Sequence, residues 1–268
     1  VLGLAALIAL FFLAATHSLR LSLRLAAAVL PGTLTVHSVQ GSLAGAFTLE
    51  GVAYRDEEIE VTAEGVSLSW RPASLLHGRL QVRSLAISGL DVRFTQDENE
   101  TEAVPAVTLP LPVALDRGSI SSLRLYFPDD SEPIQLAGVL LEDVRGRADR
   151  LQIGGLEVTT AEGNLKLRGE VQTSGEYPGR LTGAYAFRPS GYFPLAGGVD
   201  MEGTLSQLAV RVDMATPFPG TLQGTLVDLA GDTRWRAELL VGRAGLAEIS
   251  GEWPEIVLSD FRAKGSGT

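Results

Sequence analysis

Residues 84–94 read SLAISGLDVRF, and the apolar residues change phase in the middle. Leu85 and Ile87 alternate as one face of a strand, but beyond Gly89 the alternation resumes on Leu90, Val92 and Phe94, one residue out of step. The break recurs in FTLEGVAY around Gly51, VTAEGVSL around Gly65 and LQIGGLEV around Gly155. Weaker copies with a polar residue after the glycine stand at Gly169, Gly203, Gly224 and Gly251. Two local structures fit: the glycine hosts a β-bulge, or it ends one strand and opens a tight turn into the next. Both predict a mainly β chain, a long and strongly curled antiparallel sheet over residues 33–268 that forms a hydrophobic groove. The uneven spacing of the copies argues against a β-helix or a propeller.

Composition agrees. Of 268 residues, 45% are hydrophobic and 30 are glycine, enough to bury a core and to turn many short strands. A formal net charge of -10 argues against nucleic acid as a partner, because a phosphate-binding surface needs clustered Lys and Arg. There is no cysteine, which excludes disulfides and thiolate metal sites.

Residues 1–15, VLGLAALIALFFLAA, carry no charge. As a helix they extend about 22 Å, short of a roughly 30 Å bilayer core. Since the chain starts at Val1, residues 1–17 read as an N-terminally truncated transmembrane anchor. Leu13 makes a poor signal-cleavage position. Residues 18–31 then place Leu19, Leu23 and Ala26 on one stripe beside Arg20 and Arg24 before Pro31-Gly32. This predicts an amphipathic helix on the membrane surface, or a cap on the first strands. An acidic and proline-rich loop is expected at about 96–112, with shorter turns at 128–133 and 188–194. The ending KGSGT, without a capping device, reads as a chain that continues.

No catalytic constellation stands out, so the chain reads as a non-enzyme without cofactor or metal. His17, His37 and His77 have no metal-ligand spacing, and there is neither a nucleophile elbow nor a phosphate-binding loop. What needs explaining is a large apolar inventory on strands with few helices to cover it. A sheet that curls without filling its interior leaves an apolar trough, in which an acyl chain gains about 0.8 kcal/mol per buried methylene. The candidate lining is the set of apolar pairs around the glycines: Leu49, Val52, Leu68, Trp70, Leu85, Ile87, Leu90, Val92, Leu151, Ile153, Leu156 and Val158.

The order of features resembles the TamB and AsmA-like family of bridge-like envelope proteins. The resemblance is carried by residues 1–95, above all GSLAGAFTLEGVAY, LSWRPASLLHGRL and LAISGLDVRF. It implies a Gram-negative inner-membrane anchor, a periplasmic β-groove, and a C-terminal domain, absent here, that reaches an outer-membrane barrel of the TamA type. The implied function is phospholipid transfer from inner to outer membrane. The alternative is assembly of outer-membrane proteins by β-strand augmentation with that barrel partner.

Overall fold

The computed structural model describes residues 32–42, 44–56, 59–94, 108–128, 132–229, 232–245 and 254–267. The anchor at 1–17, the helix at 18–31 with Arg20 and Arg24, the acidic run at 97–102 and Gly251 lie outside the described residues. No helix among the described residues is long and apolar enough to cross a membrane.

The strands are β1 (Thr33–Gly41), β2 (Ala46–Arg55), β3 (Ile59–Trp70), β4 (Leu80–Phe94), β5 (Leu109–Tyr126), β6 (Ile134–Ala148), β7 (Arg150–Thr159), β8 (Gly163–Gln172), β9 (Gly179–Phe187), β10 (Leu195–Gly203), β11 (Gln207–Thr216), β12 (Gly220–Val227), β13 (Arg234–Gly245) and β14 (Val257–Gly267). One turn of 3-10 helix, Pro72–His77, separates β3 from β4. Sheet order follows chain order from β1 to β14, so the sheet is open rather than closed. Two compact units divide the chain, one holding residues 1–99 and 111–145, the other 100–110 and 146–268.

In the first unit β1 to β4 pair antiparallel, but β4 and β5 are parallel, from Leu80↔Val113 to Arg93↔Tyr126. This corrects the expected all-antiparallel sheet. The overlooked signal is length: a hairpin needs about two linking residues, whereas parallel neighbours need a crossover of a dozen or more, and residues 95–108 supply it. The expected loop to residue 112 also ends early, since Leu109–Pro112 already belong to β5. Pro110 and Pro112 precede the first paired residue, Val113, where a missing N–H costs no ladder bond to β4.

Neither reading of the glycine break holds at Gly51 or Gly89. Both lie inside continuous strands at φ 59° and 58°. Register is the same on either side: Glu50↔Gly65 and Val52↔Ala63, then Gly65↔Ser88 and Ala63↔Leu90. No residue is inserted and no turn forms. The skipped positions line up across five strands as His37, Gly51, Glu64, Gly89 and Ser122, a transverse crease. A Cβ at Gly51 would meet His37 Cβ at 2.9 Å, and one at Gly89 would meet the Glu64 side chain, so side chain and glycine alternate along it. At VTAEGVSL the break falls on Glu64, not on Gly65 as expected. Ser122 carries φ 64° without being glycine.

The second unit breaks its strands differently. Between Ile153↔Gly169 and Leu156↔Leu167, two residues, Gly154 and Gly155, stand against Arg168 alone. Here the bulge reading is right. Strands β7 to β14 are otherwise antiparallel with matched register. Gly203 closes β10, and the 188–194 segment joins β9 to β10 as expected.

Candidate functional site

Paired residues on neighbouring strands share a face, so pairing in register converts alternation along each strand into rows across strands. In the first unit, Leu34–Tyr54–Val61–Val92–Leu125 and Val36–Val52–Ala63–Leu90–Leu123 lie on one side of the crease. On the other side run Val39–Leu49–Val66–Ile87–Ile120 and Gly41–Phe47–Leu68–Leu85–Gly118. These sets are one residue out of phase, which the crease absorbs: Leu49 and Ala63, one from each set, are both buried. A second break, where Arg83 is skipped between Ser69↔Ser84 and Trp70↔Val82, adds Trp70–Val82–Leu115. Its effect is visible at Gly118, whose Cβ would meet Leu115 Cδ2 at 3.1 Å. Residues three apart on a regular strand would point to opposite faces.

The intervening rows are polar. Arg124 grips Asp91 through Nε and Nη2, both at 2.7 Å, and this pairing, with a smaller contribution from Glu64, raises the guanidinium pKa. The crease carboxylate therefore acts on the same face as this polar row. Arg55 pairs with Glu60, and Arg93 stacks on Tyr126 at 4.3 Å.

The second unit repeats the plan over eight strands. One apolar row is Leu156–Leu167–Gly183–Val199–Val212–Leu222–Leu239–Ala263, and another Val158–Leu165–Tyr185–Gly197–Met214–Gly220–Val241–Phe261. Rows beginning at Ile153 and Leu151 run beside them. At about 4.8 Å per strand, eight strands extend roughly 34 Å. Burial pushes the Tyr185 phenol pKa up, with Asp213 adding to the effect. On the polar face, Asn164 and Lys166 hold the Glu157 carboxyl below its ordinary range, and Arg211 and Thr221 do the same for Asp213. A concavity of about 690 Å³ lies mainly over this polar face, and the ion pairs Arg180–Glu202 and Lys264–Glu238 cross its lining. It offers charge rather than apolar contact.

The decisive feature of the apolar face is what does not cover it. Leu49, Ala63, Leu167, Val199, Val241 and Ala244 are the buried apolar residues, yet no large side chain among those described is fully buried. A β-sandwich or filled barrel of this size would bury many.

All twelve candidate residues fall in the apolar rows: Leu49, Val52, Leu68, Trp70, Leu85, Ile87, Leu90 and Val92 in the first unit, Leu151, Ile153, Leu156 and Val158 in the second. Pattern reading missed Val61, Ala63, Leu123, Leu167, Val199 and Val241 in the same rows. Several of these strands carry no glycine-centred break with apolar residues on both sides, and only pairing reveals the continuity. Gly169 and Gly203 are members of apolar rows themselves.

An open sheet with one apolar and one charged face, lacking a second layer among the described residues, defines an amphipathic β-sheet protein. Residues 5–131 match the family model described as TamB, N-terminal domain, and the chain is TamB-like. No curated protein and no solved structure matches it.

Proposed function

We propose that this chain is the membrane-proximal part of a bridge-like lipid transfer protein, anchored in the inner membrane of a Gram-negative envelope with its body in the periplasm. Phospholipid acyl chains move along the apolar rows toward the outer membrane, where a barrel of the TamA type is the expected partner. The observation that carries this reading is the pair of apolar faces, each continuous across its strands and holding no fully buried large side chain among the described residues. Ten methylenes laid on such rows gain about 8 kcal/mol at roughly 0.8 kcal/mol each. The reaction is transfer without bond making, which asks only for an unbroken apolar path.

The test is photo-crosslinking in cells, with a reactive residue placed at each position from Ser84 to Phe94 in turn. Phospholipid adducts at 85, 87, 90 and 92, with the phase switching at Gly89, are expected. Adducts to protein alone, without that alternation, would point instead to the assembly-factor alternative. Leu90→Asp should stop lipid passage while the β-sheet signal in circular dichroism persists. Unimpaired transfer by a normally folded Leu90→Asp variant would overturn the proposal.

A further inference from the structure

We propose that the 3-10 turn Pro72–His77 is a membrane-docking element that seats the rim of the first unit on an anionic bilayer surface. The turn is held firmly from within. Ser74, the buried polar residue of the described chain, donates its hydroxyl to Arg71 O at 2.6 Å and accepts from Gln81 N at 3.2 Å. Gly78, in the left-handed region at φ 66°, and Arg79 return their N–H groups to Leu75 O and Ser74 O. So fixed, the turn cannot tuck Leu76 into the sheet, and Leu76 is 69% exposed, the most exposed large apolar side chain described.

Charge selects the occupant. The chain carries 32 acidic residues, about one in eight, yet none falls between Gly65 and Ser88. That stretch holds Arg71, His77, Arg79 and Arg83 instead. None of the four makes an ion pair among the described residues, whereas Arg55, Arg124, Arg145, Arg180, Arg211 and Arg262 all do. The nearest carboxylate in register is Asp116 on β5, opposite Arg83, which leaves Arg71 and Arg79 on the turn itself uncompensated. The adjoining β1–β2 connection, which accepts Trp70 N at Gly45 O (3.0 Å), adds no charge. An exposed leucine between basic groups, beside an indole, is the combination that settles at a lipid headgroup boundary. Neither the lipid-transfer reading nor residues 1–31 are needed for this argument.

The absence of cysteine permits a single label: the full chain carrying Leu76→Cys is coupled to an environment-sensitive fluorophore, with Thr233→Cys in the second unit as control. Vesicles of phosphatidylglycerol and phosphatidylethanolamine should shift the emission at 76 to the blue, and lipids brominated in the acyl chain should quench it. The control should change little. Each arginine near an anionic surface strengthens binding about five-fold, so adding Arg71→Gln and Arg79→Gln should raise the lipid needed about 25-fold. Both side chains are exposed, and an unchanged circular dichroism spectrum confirms folding. Three results would overturn the proposal: sedimentation with vesicles without a shift at 76, an equal shift on neutral vesicles, or indifference to the two arginine changes.

Discussion

The two units use glycine for opposite purposes. In the first, Gly51 and Gly89 stand between the apolar rows, at positive φ, and let each strand slip phase without changing register. In the second, Gly169, Gly183, Gly197 and Gly203 stand within the apolar rows, where an added Cβ would run into the carbonyl oxygen of Arg180, Lys166, Asp213 and Gln207 respectively. Local sequence around Gly89 and Gly169 looks alike. One glycine is required for its backbone angle, the other mainly for the closeness of its neighbour. A motif thus identifies a device without identifying its mechanism.

Substitutions should separate the two. Gly183→Ala is expected to be the most damaging, destabilising by about 3 kcal/mol or more, because its methyl meets Lys166 O and the Leu167 side chain and the obstacle is backbone. Gly242→Ala, with open space around it, is the matched control and should be near neutral in the same urea titration. Next in size, Gly89→Ala should cost about 1–2 kcal/mol, the penalty for a side chain in the left-handed region. Part of that cost should return when Glu64→Ala removes the flexible carboxylate the methyl would strike. Gly183→Ala has no such rescue. Smaller and opposite in sign, Ser122→Gly should stabilise by up to about 1 kcal/mol, since Ser122 already sits at φ 64° on the crease. Destabilisation by Ser122→Gly would mean that its hydroxyl, not its backbone angle, matters there.

How much was legible follows from these same residues. Alternation around Leu85, Ile87, Leu90 and Val92 identified strands and marked the break, because both are local properties of one strand. That the breaks at Gly51, Glu64, Gly89 and Ser122 form one line was not legible, because alignment is a property of register between strands up to 33 residues apart. The parallel β4–β5 pair was hidden for the same reason, though the long acidic stretch before Leu109 hinted at it. Val199 and Val212 escaped notice because their rows become visible only when eight strands are laid side by side. Composition pointed to a sheet needing cover, but the openness of its apolar face emerged from burial alone.

The smallest predicted effects concern pH, and they sharpen the comparison by placing an acid-sensitive limb in the second unit. The folded pKa of Glu157 is lowered by Asn164 and Lys166, and that of Asp213 by Arg211 and Thr221, so each carboxylate binds its proton less readily when folded. Their stabilising contribution is fully present above the ordinary carboxylate range, near pH 4, and is lost as pH falls through the lowered values. Unfolding midpoints should therefore hold level from pH 7 to about 5 on this account and decline below about 4. Asp213→Asn should flatten that decline. At the alkaline end the sign reverses: the Tyr185 phenol, raised by burial and Asp213, keeps its proton in the folded chain, so stability falls once pH exceeds the ordinary tyrosine value of about 10. Tyr185→Phe should remove that fall. Because Asp213 takes part in both, Asp213→Asn should weaken the alkaline limb slightly while flattening the acid one. An alkaline limb unchanged by Asp213→Asn but abolished by Tyr185→Phe would leave burial in the apolar row as its sole cause.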